Sequence, residues 1–253
     1  MLDNKAKQKL SFTASNIFYF IKNCLLKTKQ MEFEQIAQRV AITAVPILIA
    51  IIMHEISHGF VANKLGDPTA KMMGRLTLNP AAHIDIFGTI LMPIMIFIFT
   101  NGQFVFGYAK PVPINPYNFK NPKRDMAISA AAGPLTNIFL AILSLILLKY
   151  VVMPVSAIVP EVAALKIFKP LSMMLTASIT LNVILAVFNM MPIPPLDGGR
   201  VLMGLLSHRH AETLGKIEPY GVMIVLVLMF TGIARYFIVP IINIILSLLN
   251  ILF

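Results

Sequence analysis

The chain has 253 residues, 57% of them hydrophobic and 13% charged, with a mean hydropathy of +0.79. About 25% charged residues is usual in soluble domains, so that class is excluded, and the continuous apolar runs exclude a closed barrel, whose strands alternate. The net charge of +10 is spread over connecting segments without an aromatic-interleaved basic stripe, which points to membrane topology and anionic lipid, not to nucleic acid.

The expectation is an all-α polytopic membrane protein with about five to six apolar helices. Residues 1–35 form a basic N-terminal segment (Lys5, Lys7, Lys9) followed by a marginal span or interfacial helix from Leu10 to Leu26. No small-residue cleavage site marks a signal peptide there, and Cys24 is the only cysteine, so no intrachain disulfide forms. Residues 36–253 are read as one membrane-embedded domain. Its first helix runs from about Ile36 to Leu65, with a kink expected at Pro46.

Gly74 to Pro80, around Thr77 and Leu78, suggests an extended or hairpin piece. His83 and Asp85 follow, and a loop hydrogen bond is expected for both in preference to a second metal site. Ile86 to Phe99 is shorter than the about 20 residues a span needs and contains Pro93, which suits a re-entrant segment. Phe104 to Ile114 reads as an extended strand that Pro111 and Pro113 confine to a sheet edge. An open edge is what an incoming peptide can pair with. Further spans are expected from about Met126 to Val152 and from Leu171 to Met191, with residues 153–170 as a connection. An amphipathic helix over Arg200–Glu218 carries His208 and His210 on the surface. Pro219–Gly232 and Phe237–Phe253 are the last apolar stretches.

The stretch that carries chemistry is Met53-His-Glu-Ile-Ser-His-Gly59. Residues four apart lie on one helical face, so His54 and His58 can offer two nitrogens to one metal ion. Glu55 points near that ion without having to bind it, the arrangement H-E-x-x-H. Ionisable groups at membrane depth are costly and mark function by default. A catalytic zinc takes three protein ligands and a water, and Asp197 is the candidate third. It follows Pro192, Pro194 and Pro195, which break the helix, and precedes Gly198 and Gly199. The competing reading of Asp197 is a helix N-cap. Glu55 is then the general base. Asn189 is a candidate donor to the oxyanion, or alternatively an interhelical hydrogen bond. Asn137 after Gly133-Pro134 is read as structural, with Gly133 allowing close helix approach.

His54-x-x-x-His58 together with Asn189-x-x-Pro-x-Pro-x-Leu-Asp-Gly198 resembles the site-2 protease family of intramembrane zinc metalloproteases. Gly66-Asp-Pro, Gly74-Arg-Leu-Thr-Leu-Asn-Pro80, Gly107-Tyr-Ala-Lys-Pro-Val-Pro113 and Ala132-Gly-Pro-x-x-Asn137 resemble its compact bacterial and archaeal branch, with no stretch suited to a PDZ or CBS domain. The resemblance implies one Zn2+ held by His54, His58 and Asp197, Glu55 as base, and transmembrane protein substrates cut within or beside the bilayer. If 10–27 spans and 86–99 returns to the side it entered, counting basic residues in the connections puts the site toward the cytoplasmic side of a multi-pass protein in the cell (inner) membrane. The rival is a metal transporter or sensor built on the same His/Asp cluster.

Overall fold

The computed structural model describes residues 38, 40–99 and 107–252. The chain divides into two compact units, Met1–Ala44 and Val45–Phe253. The first contributes the opening turn of helix α1, and all that follows concerns the second. The span expected over Leu10–Leu26, and Phe104–Phe106 of the extended segment, lie outside the described residues.

Among the described residues, five helices are long and apolar enough to cross a membrane. They are α1 (Val40–Lys64), α4 (Pro122–Ile158), α5 (Glu161–Asn189), the stretch His208–Phe230, and α9 (Ile233–Leu252). Between α1 and α4 lie the short α2 (Thr69–Met72) and a π-helical turn, Ile86–Leu91, that runs into α3 (Met92–Phe99). After α5 comes α6 (Asp197–Leu205). The stretch His208–Phe230 comprises α7 (His208–Gly215), a 3-10 turn and α8 (Gly221–Phe230). The helix expected over 200–218 is thus two pieces, broken at Leu206 and Ser207.

Residues 153–170, expected as a connection, are helical except at Val159 and Pro160. The prolines explain both the expectation and its failure. Pro154 lies inside α4 and Pro170 inside α5, each just after a π-helical turn, a local widening that lets a helix carry a proline whose missing N–H and ring disturb the regular ladder. α4 starts earlier than hydropathy suggests because Asn121 and Asp125 cap it. Asn121 Oδ1 accepts from Arg124 N at 3.3 Å, and Asp125 Oδ2 accepts from Asn121 N at 3.0 Å, satisfying donors that a helix start leaves free.

The core lies among α4, α5 and α9: Ala141 and Leu145, Ile179, Val183 and Val187, Ala234, Ile238 and Leu249. Large apolar side chains such as Phe139, Phe237, Ile244 and Ile251 stay exposed on the outer faces. Such a surface suits lipid. There, helices associate by close packing and by buried polar contacts worth about 0.6 kcal/mol each. Ser144 Oγ meets Ser178 Oγ at 2.8 Å across α4 and α5 as one of these.

No strand occurs among the described residues; 74–79 run as turns and bends and 107–115 as extended chain. That extended segment is tied down residue by alternate residue. Tyr108 N donates to Gly88 O (3.0 Å) and Lys110 N to His83 O (2.9 Å). Thr89 Oγ1 donates to Tyr108 O (2.8 Å) and Arg75 Nη2 to Lys110 O (2.8 Å). His83 is buried in this loop, its Nε2 on Thr77 O, while Asp85 caps the π-helical turn through Gly88 N. Both have the loop roles expected of them.

Asp67 anchors the far end. It is fully buried and accepts from Thr69 N, Thr69 Oγ1, Asn115 N and Asn118 Nδ2. Burial pushes its carboxyl up, but those four donors more than offset this and hold it below the ordinary value of 3.8. The stability it supplies is therefore complete above that value and is lost as pH falls through the lowered one. Asp67→Ala should cost about 2–3 kcal/mol by stranding buried donors. In thermal unfolding of the detergent-solubilised protein, Asp67→Asn should lose less stability than wild type between pH 5 and 3. An identical acid loss in both would remove Asp67 from that role.

Candidate metal centre

α1 places His54 and His58 one turn apart, both buried. Their Nε2 atoms are 3.0 Å apart, and Asp197 Oδ2 lies 3.1 Å from the first and 3.3 Å from the second. The carboxylate arrives from a long way along the chain because Met190–Leu196 turns sharply, through a cis Pro194–Pro195 bond, back against the start of α6. A Cβ at Gly198 would strike the Met190 carbonyl, and one at Gly199 would fall 2.7 Å from the Ile193 carbonyl carbon. Only glycines let this loop close on the helix. Asp197 is the first residue of α6, whose N-cap is Leu196, so it is not the N-cap of that helix.

The other ring nitrogens fix what these atoms can do. His54 Nδ1 lies 2.6 Å from Asn137 Oδ1, and His58 Nδ1 lies 2.8 Å from Ser129 O. Both partners are acceptors, so both Nδ1 atoms carry the proton, and in the neutral imidazoles both Nε2 atoms present lone pairs. Asp197 Oδ2 is buried and has no hydrogen-bond partner despite its two close neighbours. Three acceptors thus converge with no proton assigned between them. A tetrahedral ion with ligand bonds of about 2.0–2.1 Å needs donor atoms about 3.3 Å apart, close to the spacings seen. Two imidazoles and a carboxylate also make a known catalytic zinc set. The residues fit such an ion.

Gly133 of α4 forms the floor. A Cβ there would sit 2.6 Å from His54 Nε2 and closer still to His58 Nε2. Among the described residues, His54, His58 and Asp197 are the group of three that could hold a metal ion. His208 and His210 are exposed on α7, with His210 Nδ1 on Ser207 Oγ at 2.8 Å.

Glu55 is half-buried, and its Oε2 accepts from Val112 N at 2.8 Å. Pro111 and Pro113 on either side have no N–H, so Val112 supplies the one donor of that tripeptide. Asn189 closes α5, and its Nδ2 donates to Leu185 O at 2.9 Å, a bond within its own helix. Sequence reasoning undervalued Asn137, which is fully buried against His54. An amide four residues after Gly133 in an apolar span was the signal that could have found it. The Val112 and Ser129 contacts are backbone contacts, which residue type does not announce.

Comparison with known proteins gives the family. The sequence model of peptidase family M50 matches residues 42–232. YwhC of Bacillus subtilis (strain 168), whose name presents it as a candidate zinc metalloprotease, is 37% identical over 199 residues, 79% of this chain and 84% of that protein. Rip2 of Mycolicibacterium smegmatis (strain ATCC 700084 / mc(2)155), named in the same way, is 28% identical over 184 residues, 73% of this chain. Rip2 of Mycobacterium tuberculosis (strain ATCC 25618 / H37Rv) is 27% identical over 181 residues, 72% of this chain. The chain spans 64% and 63% of the lengths of these two Rip2 proteins. No solved structure matches the chain. With three quarters of its length covered by the family's model and an H-E-x-x-H helix meeting a distant aspartate, the chain belongs to peptidase family M50, the site-2 protease family of zinc metalloproteases.

Proposed function

We propose that this protein hydrolyses peptide bonds of membrane-spanning proteins within or next to the bilayer. His54, His58 and Asp197 hold one zinc ion in this reading, and Glu55 is the general base. The observation that carries it is the convergence of His54 Nε2, His58 Nε2 and Asp197 Oδ2 at 3.0–3.3 Å. When bound there, zinc supplies Lewis acidity toward a peptide carbonyl and makes water a nucleophile near neutral pH.

The chain's own groups divide the remaining work. Glu55 takes the proton of the attacking water and passes it to the leaving amine. The bond from Val112 N engages one carboxylate oxygen of Glu55, Oε2. Asn189 Nδ2 gives one of its two N–H groups to Leu185 O, and the other is the donor to the oxyanion in this reading.

Substrate access has two supports. An apolar cavity of about 680 Å³ lies beside the loop that carries Asp197, lined by Pro134, Leu135, Met190, Pro192, Phe237 and Ile241 among others, and an apolar substrate helix suits it. The second is the extended segment. Because Tyr108, Lys110 and Val112 direct their N–H groups inward, Ala109, Pro111 and Pro113 face the other edge. That edge offers carbonyl acceptors and, at 109–113, the single donor of Ala109. A substrate strand would dock there mainly with its own N–H groups.

The return of the chain at Tyr108 to Gly88 supports a re-entrant Ile86–Phe99 segment. The division into residues 1–35 and a protease domain over 36–253, and a site toward the cytoplasmic side of the inner membrane, complete the proposal. The latter rests on the basic residues of the connections.

Zinc analysis and cleavage of a single-span test substrate by the purified protein test this reading. Glu55→Gln should retain about one zinc per chain and lower kcat by about 10²- to 10⁴-fold; loss of zinc with the glutamate would instead favour a transporter-like site. Gly133→Ala should drive the zinc content toward zero, since its methyl group occupies the space between the imidazoles. Full zinc in that variant would contradict the site. Ala109→Pro should raise KM severalfold at unchanged zinc content, and an unaltered KM would discard the edge.

A further inference from the structure

A line of buried polar side chains runs through the α4/α5 interface and ends on a proposed metal ligand. Asn182 of α5 is 1% exposed and Asn137 of α4 is fully buried. Asn182 Nδ2 donates to Ser178 O at 2.9 Å and to Ser178 Oγ at 3.2 Å. Asn137 Nδ2 donates to Asn182 Oδ1 at 2.8 Å, and more distantly to Ala50 O at 3.3 Å. Asn137 Oδ1 then meets His54 Nδ1 at 2.6 Å.

The line has a direction. A backbone carbonyl only accepts, so Ser178 O fixes which end of the Asn182 amide faces it. Asn182 therefore turns its oxygen to Asn137. Asn137 in turn must present its NH2 to Asn182 and its oxygen to His54. Turning the Asn137 amide over would set its oxygen against Asn182 Oδ1 and Ala50 O, two acceptor–acceptor contacts in a dry interior where an unmade bond costs about 1–3 kcal/mol. It would also offer an NH2 to His54 Nδ1, favouring the tautomer protonated at Nε2. That tautomer cannot ligate through Nε2.

We propose that Asn182 is a positioning residue for the metal: acting through Asn137, it holds His54 in the Nδ1–H tautomer, with the Nε2 lone pair facing His58 and Asp197. The proposal rests on the metal reading given above. It adds to that reading a residue on a different helix that touches neither the ion nor its ligands. An interhelical hydrogen bond with no such role would affect folding but not the tautomer.

Three variants of the full chain in detergent separate these roles. Asn182→Leu removes the acceptor. Asn182→Asp, neutral in an apolar interior, keeps an oxygen toward Asn137 and a hydroxyl toward Ser178. Ser144→Ala removes the neighbouring Ser144–Ser178 bond while leaving Asn182 intact. Zinc affinity, measured by competition with a chelator, should fall about tenfold or more in Asn182→Leu, within the range for outer-shell changes. It should stay within about threefold of wild type in the other two. If Asn182→Leu does not fold, Asn182→Ala replaces it with the same expectation.

The second readout needs no metal. The chain has five histidines, so 15N-histidine NMR of the metal-free protein can resolve the His54 tautomer. It should be Nδ1–H in wild type and mixed in Asn182→Leu. Wild-type zinc affinity in Asn182→Leu, equal losses in Asn182→Leu and Asn182→Asp, or an unchanged His54 tautomer would each overturn the proposal. A wild-type protein that binds no zinc but shows the expected tautomer change would sink the metal reading, and with it the role toward the metal, and leave standing only the control of the His54 tautomer by Asn182.

Discussion

Three lone-pair-bearing atoms held together away from water are an arrangement that a protein does not reach by packing alone. His54 Nε2, His58 Nε2 and Asp197 Oδ2 sit 3.0–3.3 Å from one another. With both Nδ1 protons committed to Asn137 and Ser129, the neutral imidazoles have no proton to place between these atoms, and only a proton taken up at Nε2 or a cation relieves their mutual repulsion. A divalent cation reverses the sign of all three interactions, and buried charges are tolerated when they coordinate a metal. Much of the surrounding structure makes sense as the means of bringing these atoms together. Gly133 vacates the space in front of the rings. Gly198 and Gly199 allow the loop that delivers the aspartate to close.

The helices around the cluster are held by a mixture suited to lipid. Water-driven association is weak there, so small residues and polar pairs carry more of the helix–helix contact. Ser129 shows the economy of the arrangement. Its carbonyl receives His58 Nδ1, and its hydroxyl donates to the His58 carbonyl at 3.0 Å, so a single residue both joins α4 to α1 and orients a proposed ligand. The extended segment 107–115 has a comparable double use. It is bound to the loop below by alternate residues, and its Val112 N–H reaches Glu55.

The sequence was most legible where chemistry demands rare residue types in a hostile medium. An imidazole pair with a glutamate inside an apolar run, and an aspartate after a proline-broken helix, stand out because neither is cheap in lipid. It was least legible where prolines have two meanings. Pro154 and Pro170 suggested a connection but lie inside helices just after π-helical turns, and hydropathy cannot distinguish a proline that breaks a helix from one that a widened turn accommodates. The loops above the site were also hidden in part. Thr77 and Leu78 carry strand-like residue types, yet this region is held by side chain-to-backbone bonds from Arg75 and His83, with no ladder among the described residues. Asn137 was visible as a polar residue at membrane depth, but its partner could be known only once α1 and α4 were brought side by side.

The account stands on the identity of three ligands, and X-ray absorption at the zinc edge of the purified protein reads them directly. It predicts a spectrum of nitrogen and oxygen donors at about 2.0–2.1 Å with the outer-shell scattering of two imidazoles, falling to a changed first shell when Asp197 is replaced by alanine. A single imidazole, a sulfur donor, or a first shell indifferent to Asp197 would contradict it.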